Sequence, residues 1–309
     1  MKKYLPIIAS LFVVMGVASV VIYKKKHKTV VPMVENKFNI GNFNRPRSCA
    51  KHPQFLKALK VTPPITIDLS QQRFKGLAFL WGENFSQVVH PKAWETFEHF
   101  STYALDEEGN AYLAPMPFIS IRPTTFNLQK NIYRLDTLTG KIAIFMHFDE
   151  VVPTPNNPFG IISLVYDCDD KSLWVSAIDE TDYQAERGVI YHIDVATQHV
   201  LEKIEGVDAL TLALLKSEKG KFLLVGSARK NSLYAYAING GKMEREGVKL
   251  LDLPLPNEHI RKIKIKGKNL LELQTIPFSY TLIAETSNKR ERHHYRAEWS
   301  EKTLRWSLE

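Results

Sequence analysis

The sequence predicts an all-β fold, a β-propeller of five or six four-stranded blades preceded by one transmembrane helix, and three observations carry that prediction. The first is a pattern repeated within residues 160–251. An apolar run from Ile161 to Tyr166 meets an acidic turn, Asp167 to Asp170, and a second apolar run, Leu173 to Ser176. A polar excursion then leads to a third run, Val189 to Ile193, and a short turn to a fourth, Val200 to Ile204. Leu210 to Leu215, Phe222 to Val225 and Leu233 to Ala237 repeat the order. Short apolar runs punctuated by Gly, Asp and Asn read as strands and hairpins. Four of them at a period of roughly 45 residues read as a propeller blade.

The second observation is that two markers keep step over a longer range. Turns ahead of a second strand recur at 106–110, 167–171, 219–220 and 266–268, and a third-strand tyrosine recurs at Tyr133, Tyr191, Tyr234 and Tyr280. The tyrosine gaps are 58, 43 and 46 residues. Four blades are countable in this way, and residues 65–89 supply a fifth or a closing strand. The third observation is an uncharged run over residues 5–22 with lysines on both flanks. As a helix, residues 5–23 rise roughly 28 Å, about one hydrocarbon core.

Taken in order, residues 1–28 form the predicted membrane anchor with its basic flank. The apolar run is long for a cleaved signal peptide, and past Ala18 no small-x-small cleavage site precedes the lysines. Lysines after the span point by the positive-inside rule to a cytoplasmic domain. The short basic start followed at once by an apolar run reads instead as a signal-anchor, which places the propeller on the exported, periplasmic or extracellular, side. Residues 1–60 carry 12 Lys and Arg against one acidic residue, Glu35, whereas residues 61–309 carry 29 against 32, a net of −3. The high pI thus belongs to the anchor and its stalk, where lysines suit either anionic headgroups or topology, and nucleic-acid binding loses its support.

Residues 29–64 read as a linker, with Pro32, Pro46, Pro53 and Pro63-Pro64 and one short helical turn near Phe55. The propeller domain is expected over 65–309, enough chain for one substantial core. Cys49 and Cys168 lie 119 residues apart, a spacing with no metal-knuckle or redox-pair pattern. A disulfide between them is one alternative and two free thiols the other. Residues 91–100 read as a short helix headed by Pro91, with Trp94, Phe97 and Phe100 on one stripe. Residues 294–308 read as a final hairpin, and ring closure by both chain ends would make residues 65–69 its neighbours.

In a propeller, the loops entering each innermost strand share one rim. Here they carry Glu98 with His99, Asn156 with Asn157, Asp208, and Glu258 with His259. Glu98, Asn156, Asn157 and Asp208 offer the oxygen ligands that Ca²⁺ or another hard divalent cation takes, and a carboxylate beside such an ion can act as base toward bound water. Rim loops are also polar through ordinary turn chemistry. Residues 115–125 form an apolar, proline-rich insertion of the sort that meets a partner or folds over a sheet edge. His293-His294 beside Arg290, Arg292 and Arg296 make a basic edge, read as a solvated hairpin. No His-Glu-x-x-His, phosphate-cradling glycine loop or nucleophile elbow occurs.

The phrases Asn156 to Ile161, Asp167 to Val175 and Gly188 to Asp194 resemble blades of the six-bladed calcium-dependent propellers, the group of senescence-marker/gluconolactonase, strictosidine-synthase-like, NHL and royal-jelly-like proteins. The resemblance covers roughly residues 65–309 and is one of blade grammar. It implies a Glu, Asn and Asp around a divalent ion, for which Asn156 or Asn157 and Asp208 match in position and Glu98 stands without a surrounding motif. Two functions follow as expectations. One is a membrane-tethered propeller that binds a protein, peptide or glycan partner at its rim. The alternative is a divalent-metal-dependent lactonase or esterase-like hydrolase with its site in the central channel.

Overall fold

The computed structural model describes residues 38–69, 73–117, 126–182, 184–281 and 292–309. Five antiparallel sheets follow one another along the chain. The first has three strands, β1 (Ile65–Asp68), β2 (Ala78–Trp81) and β3 (Gln87–Val89). The second runs β4 (His99–Leu105), β5 (Ala111–Met116), β6 (Asn131–Leu135) and β7 (Ile142–His147). The third runs β8 (Ile161–Asp167), β9 (Ser172–Ala177), β10 (Val189–Asp194) and β11 (Val200–Glu205). In the fourth, β12 (Ala209–Ser217), β13 (Gly220–Ser227) and β14 (Ser232–Asn239) carry both β15 (Lys242–Met243) and β16 (Val248–Asp252) on the β14 edge. The fifth runs β17 (Glu258–Gly267), β18 (Leu270–Pro277), β19 (His294–Ser300) and β20 (Arg305–Leu308). Strands β4, β8, β12 and β17 open their sheets and pack side by side in sequence order, as the inner strands of a propeller do.

Apolar faces seal successive sheets together. Leu77, Phe79 and Trp94 of the first sheet region meet Phe100, Leu113 and Tyr133 of the second. Tyr112, Phe145 and Phe148 meet Leu164, Val175 and Tyr191 of the third. Trp174 and Ile190 meet Leu212, Leu223 and Val225 of the fourth. Phe222, Leu224 and Leu233 meet Ile260, Leu271, Leu273 and Trp299 of the fifth. Tryptophans and tyrosines of this size bury 150–250 Å² each and dominate such seams. The recurring Tyr133 and Tyr191 are both buried in them. Among the described residues, no apolar cluster joins the fifth sheet to the first.

A strap made by residues 38–61 compensates for that missing seam. Ile40 and Phe43 are buried in the seam between the last two sheets, and Leu56 and Val61 in the seam between the first two. Between those anchors the strap runs along the hairpin turns. Phe43 N donates to Asn269 Oδ1 (2.9 Å), Glu218 N to Asn42 O (3.0 Å) and Lys51 N to Asp106 O (3.0 Å). Phe55 N donates to Thr137 O (2.8 Å), and a Cys49–Cys168 disulfide staples the strap to the turn between β8 and β9. The helical turn expected near Phe55 is α1 (Phe55–Ala58).

Several expectations are corrected. Among the described residues the sheets number five, so the six-bladed resemblance does not hold; residues 65–89 make a three-stranded sheet of their own, and the long first tyrosine gap holds loops rather than a further blade. No helix among the described residues is long and apolar enough to cross a membrane. The expected span 5–23 lies outside the described residues, so the membrane partner, the tether and the exported location built on it are left without support. The chain ends do not share a blade: β1 pairs with β2, and β20 with β19. The helix expected over 91–100 is a 3-10 stretch, Lys92–Phe97, because Glu98 turns to positive φ and the chain enters β4 at His99. Most of the proline-rich insertion (118–125) lies outside the described residues.

Candidate binding site at the axis and on the last sheet

The rim residues expected to bind a metal are placed ahead of β4, β8 and β12, but most of their donors serve the fold. Asp208 is 1% exposed. Its Oδ1 accepts from Thr181 Oγ1 (2.8 Å) and Gly188 N (2.7 Å), and its Oδ2 from Tyr280 OH (2.5 Å). Those donors come from the third and fifth sheets, so one carboxylate ties three consecutive blades. Gly188 is required there, since a Cβ would collide with Asp208 Oδ1. Burial raises the Asp208 pKa, and the three hydrogen bonds work against that rise. Asn157 is buried beside this network, its Nδ2 donating to Ile178 O (2.6 Å) and Thr181 O (2.9 Å).

Thr181 therefore brings Asn157 and Asp208 together, whereas the other two expected ligands stand apart. Asn156 is exposed. Glu98 pairs with Lys75 at 2.9 Å. No group of three or more His, Cys, Asp or Glu side chains that could hold a metal ion occurs among the described residues. The metal-dependent hydrolase thus has no assembled ligand set and is not carried further.

The same end of the ring holds a repeated feature that residue types alone do not disclose. Each inner strand has a register shift near its start, between Phe100 and Thr102, Ile161 and Ser163, Ala209 and Thr211, and Ile260 and Lys262. A bulge leaves one residue unpaired and re-aims it. The residues so placed are Ser101, Ile162, Leu210 and Arg261. Ile162 and Leu210 are buried in an apolar cluster with Phe159, Ile178 and Tyr280. Ser101 Oγ donates to Ile162 O. Arg261 Nη2 donates to Ser101 O at 2.7 Å, from the last sheet to the second.

Arg261 is thus the one cation at a position otherwise held by neutral residues. Burial, with help from the charge of Arg292, pushes its pKa down to about 10, which leaves it a cation at neutral pH. Glu258, three residues earlier, does not neutralise it. Tyr295 OH donates to Glu258 Oε2 (2.7 Å), and His293 Nδ1 is bonded to Oε1. The close fit of β13 against β17 depends on Gly226, where a Cβ would lie 2.7 Å from Ile260 O.

From Arg261 onward β17 alternates. Ile263 and Ile265 pack toward the fourth sheet, while Lys262, Lys264 and Lys266 are exposed on the opposite face. Cross-strand partners extend that face: Lys262 lies beside Gln274 and then His294, and Lys264 beside Glu272 and then Arg296. Lys266 reaches Glu272 at 3.3 Å. In the other seams this kind of face is apolar and covered. Here it is charged, and no cluster covers it among the described residues. Sequence reading passed over it, yet the strict Lys/Ile alternation from 262 to 266 marks a half-exposed strand.

No protein-family model matches the chain, and no curated protein matches it. Among solved structures, it is similar to the acylaminoacyl peptidase of Pyrococcus horikoshii (uncomplexed), at 11% identity and a TM-score of 0.36. That match takes in 87% of this chain and 40% of the peptidase, so the chain spans less than half of that protein's length. It is also similar to the Cps50 (Swd1) β-propeller domain of Myceliophteria thermophila, at 10% identity and a TM-score of 0.34, over 86% of this chain and 98% of that one. At such scores neither likeness bears on activity, and the five-bladed propeller rests on the five sheets and their seams.

Proposed function

We propose that the protein is a binding propeller that takes an acidic segment of a protein partner on the uncovered face of its last sheet. The observation that carries this reading is the row Lys262, Lys264 and Lys266 on the inner strand β17, exposed where every other seam is apolar. With Arg296 the face holds four cations against Glu272 and Glu298, while residues 61–309 as a whole carry a net of −3 (29 − 32). A cationic stripe on an otherwise acidic domain attracts and orients an anionic partner.

The test is fluorescence anisotropy of a labelled ten-residue polyglutamate peptide with the full 309-residue chain and with K262S/K264S/K266S. The expected result is binding that weakens as salt rises and falls about ten-fold or more in the triple variant. Equal affinity for both proteins would overturn the reading. So would binding of a sulfated oligosaccharide with none of the peptide, which would assign the face to a glycan.

A further inference from the structure

The structure assigns to Arg261 the recognition of a carboxylate at the propeller axis. This site rests on the bulged arginine and not on the exposed lysine row, with Lys262 bordering both, and would hold whether or not that face takes a partner. Four inner strands share one bulge, and three of the four bulged residues complete a neutral layer: Ile162 and Leu210 by packing, Ser101 by hydrogen bonding across to β8. The fourth is a guanidinium, which has five N–H donors in a fixed fork and no capacity to accept. Among the described residues Arg261 makes one hydrogen bond, to a backbone carbonyl, and no ion pair.

The surroundings raise the demand for an anion. Arg292 and Lys262 bring further positive charge to the same place. The nearby carboxylate of Glu258 has both oxygens engaged by His293 and Tyr295, and that of Asp208 is held by Thr181, Gly188 and Tyr280. A half-buried cation without a counter-charge is costly, and a planar carboxylate matches the guanidinium fork with two parallel hydrogen bonds. A lysine would supply the charge but lose that fit. The carboxylate can belong to a small organic acid or to an acidic side chain of a partner, and the guanidinium chemistry is the same for both.

Titration of the full chain with glutarate at constant ionic strength, read by the arginine Nε–H resonances in ¹H–¹⁵N spectra, tests the assignment. One arginine resonance, absent from the spectrum of R261M, is expected to shift and saturate, with chloride at equal strength producing no such shift. R261K, which keeps a cation and can keep the bond to Ser101 O, is expected to bind glutarate about ten-fold more weakly. It also serves as the test should R261M fail to fold. A resonance that never saturates, or an affinity unchanged in R261K, would overturn the site. The polyglutamate peptide separates the two sources. If glutarate saturates and the peptide does not compete, the site takes a small acid, and the protein-partner reading of the lysine face is judged by its own triple variant. Peptide binding that depends on Lys262, Lys264 and Lys266 while glutarate produces no saturable shift would retain that face and remove Arg261 as a carboxylate receptor.

Discussion

Asp208 and Arg261 sit at the same end of the ring, at the starts of the consecutive inner strands β12 and β17, and their surroundings are opposite. Asp208 is almost fully buried with every oxygen met by a donor from a neighbouring blade. Arg261 reaches across to the second sheet with a single bond and lies among other cations. The contrast follows the seams. Asp208 stands where third, fourth and fifth sheets are sealed by Trp174, Leu223, Phe222 and Leu273, whereas Arg261 begins the sheet whose far face no apolar cluster covers among the described residues. Polar groups inside a sealed seam must be satisfied by the protein itself. At an open seam they can be left for something else to satisfy.

The strap is the largest test of that contrast, because it joins the two ends that no apolar cluster joins among the described residues. Closing a loop of 119 residues by the Cys49–Cys168 disulfide restricts the unfolded chain by about 5 kcal/mol in the chain-entropy picture. C49S/C168S is expected to lose stability of that order in urea unfolding. Its hydrogen exchange is the sharper readout. Amides of the first and fifth sheets are expected to lose protection before those of β8 to β14, since among the described residues each of these two sheets has an apolar seam on one side only and leans on the strap for the rest of its closure. Uniform loss of protection over all five sheets would mean that the ring is closed by something other than the strap.

Removing the satisfied carboxylate comes next. Asp208→Ala leaves the Thr181 hydroxyl, Gly188 N–H and Tyr280 hydroxyl without their acceptor in a buried site, at a cost of roughly 3 kcal/mol. Asp208→Asn keeps an acceptor for Thr181 and Gly188, and the Tyr280 hydroxyl can turn to accept from the new amide. It is therefore expected to stay within about 1 kcal/mol of the wild type. If both variants unfold at the same urea concentration, Asp208 is not the junction its hydrogen bonds describe.

Much of this architecture was legible in the sequence, and the illegible part has physical reasons. The strands of the third and fourth sheets can be read from runs such as Ile161 to Tyr166 and Leu210 to Leu215, because burial on both faces writes a continuous apolar signal. The number of sheets could not, since the first sheet has strands of three and four residues and no tyrosine marker. The strap was hidden by its composition: prolines and asparagines suit a linker, and burial of Ile40, Phe43, Leu56 and Val61 reveals that it is packed. Residue type makes Glu98, Asn156, Asn157 and Asp208 read as ligands, and it does not show that Lys75 pairs with Glu98 or that Thr181 and Tyr280 engage Asn157 and Asp208. Arg261 was overlooked because a bulge is a property of strand pairing, which one strand's sequence does not contain.

The buried histidines give a pH test of the sealed region. Burial lowers the pKa of His99, His192 and His259 below the usual 6.5. In the unfolded chain these rings take up protons first as pH falls, so the stability they contribute is complete above about 6.5 and is lost on acidification toward their folded values. Urea unfolding at pH 7.5 and 5.5 should show the decline, and His192→Gln should reduce its slope by up to about 1.4 kcal/mol per pH unit. An unchanged slope in that variant would mean that His192, despite stacking on Trp174 at 4.0 Å, titrates alike in both states.

The smallest expected effect discriminates most directly between the two regions. Lys262, Lys264 and Lys266 are exposed, and the pairing of Lys266 with Glu272 is of the half-exposed kind that contributes little. K262S/K264S/K266S should therefore unfold within about 0.5 kcal/mol of the wild type, while Leu273→Ala, on the sealed face of the neighbouring strand, should lose about 2–5 kcal/mol. Two faces of one sheet would then differ by an order of magnitude in what they contribute to folding. If the lysine variant proved as damaging as the leucine variant, the face would be a covered seam after all, and its charges would belong to the fold rather than to a partner.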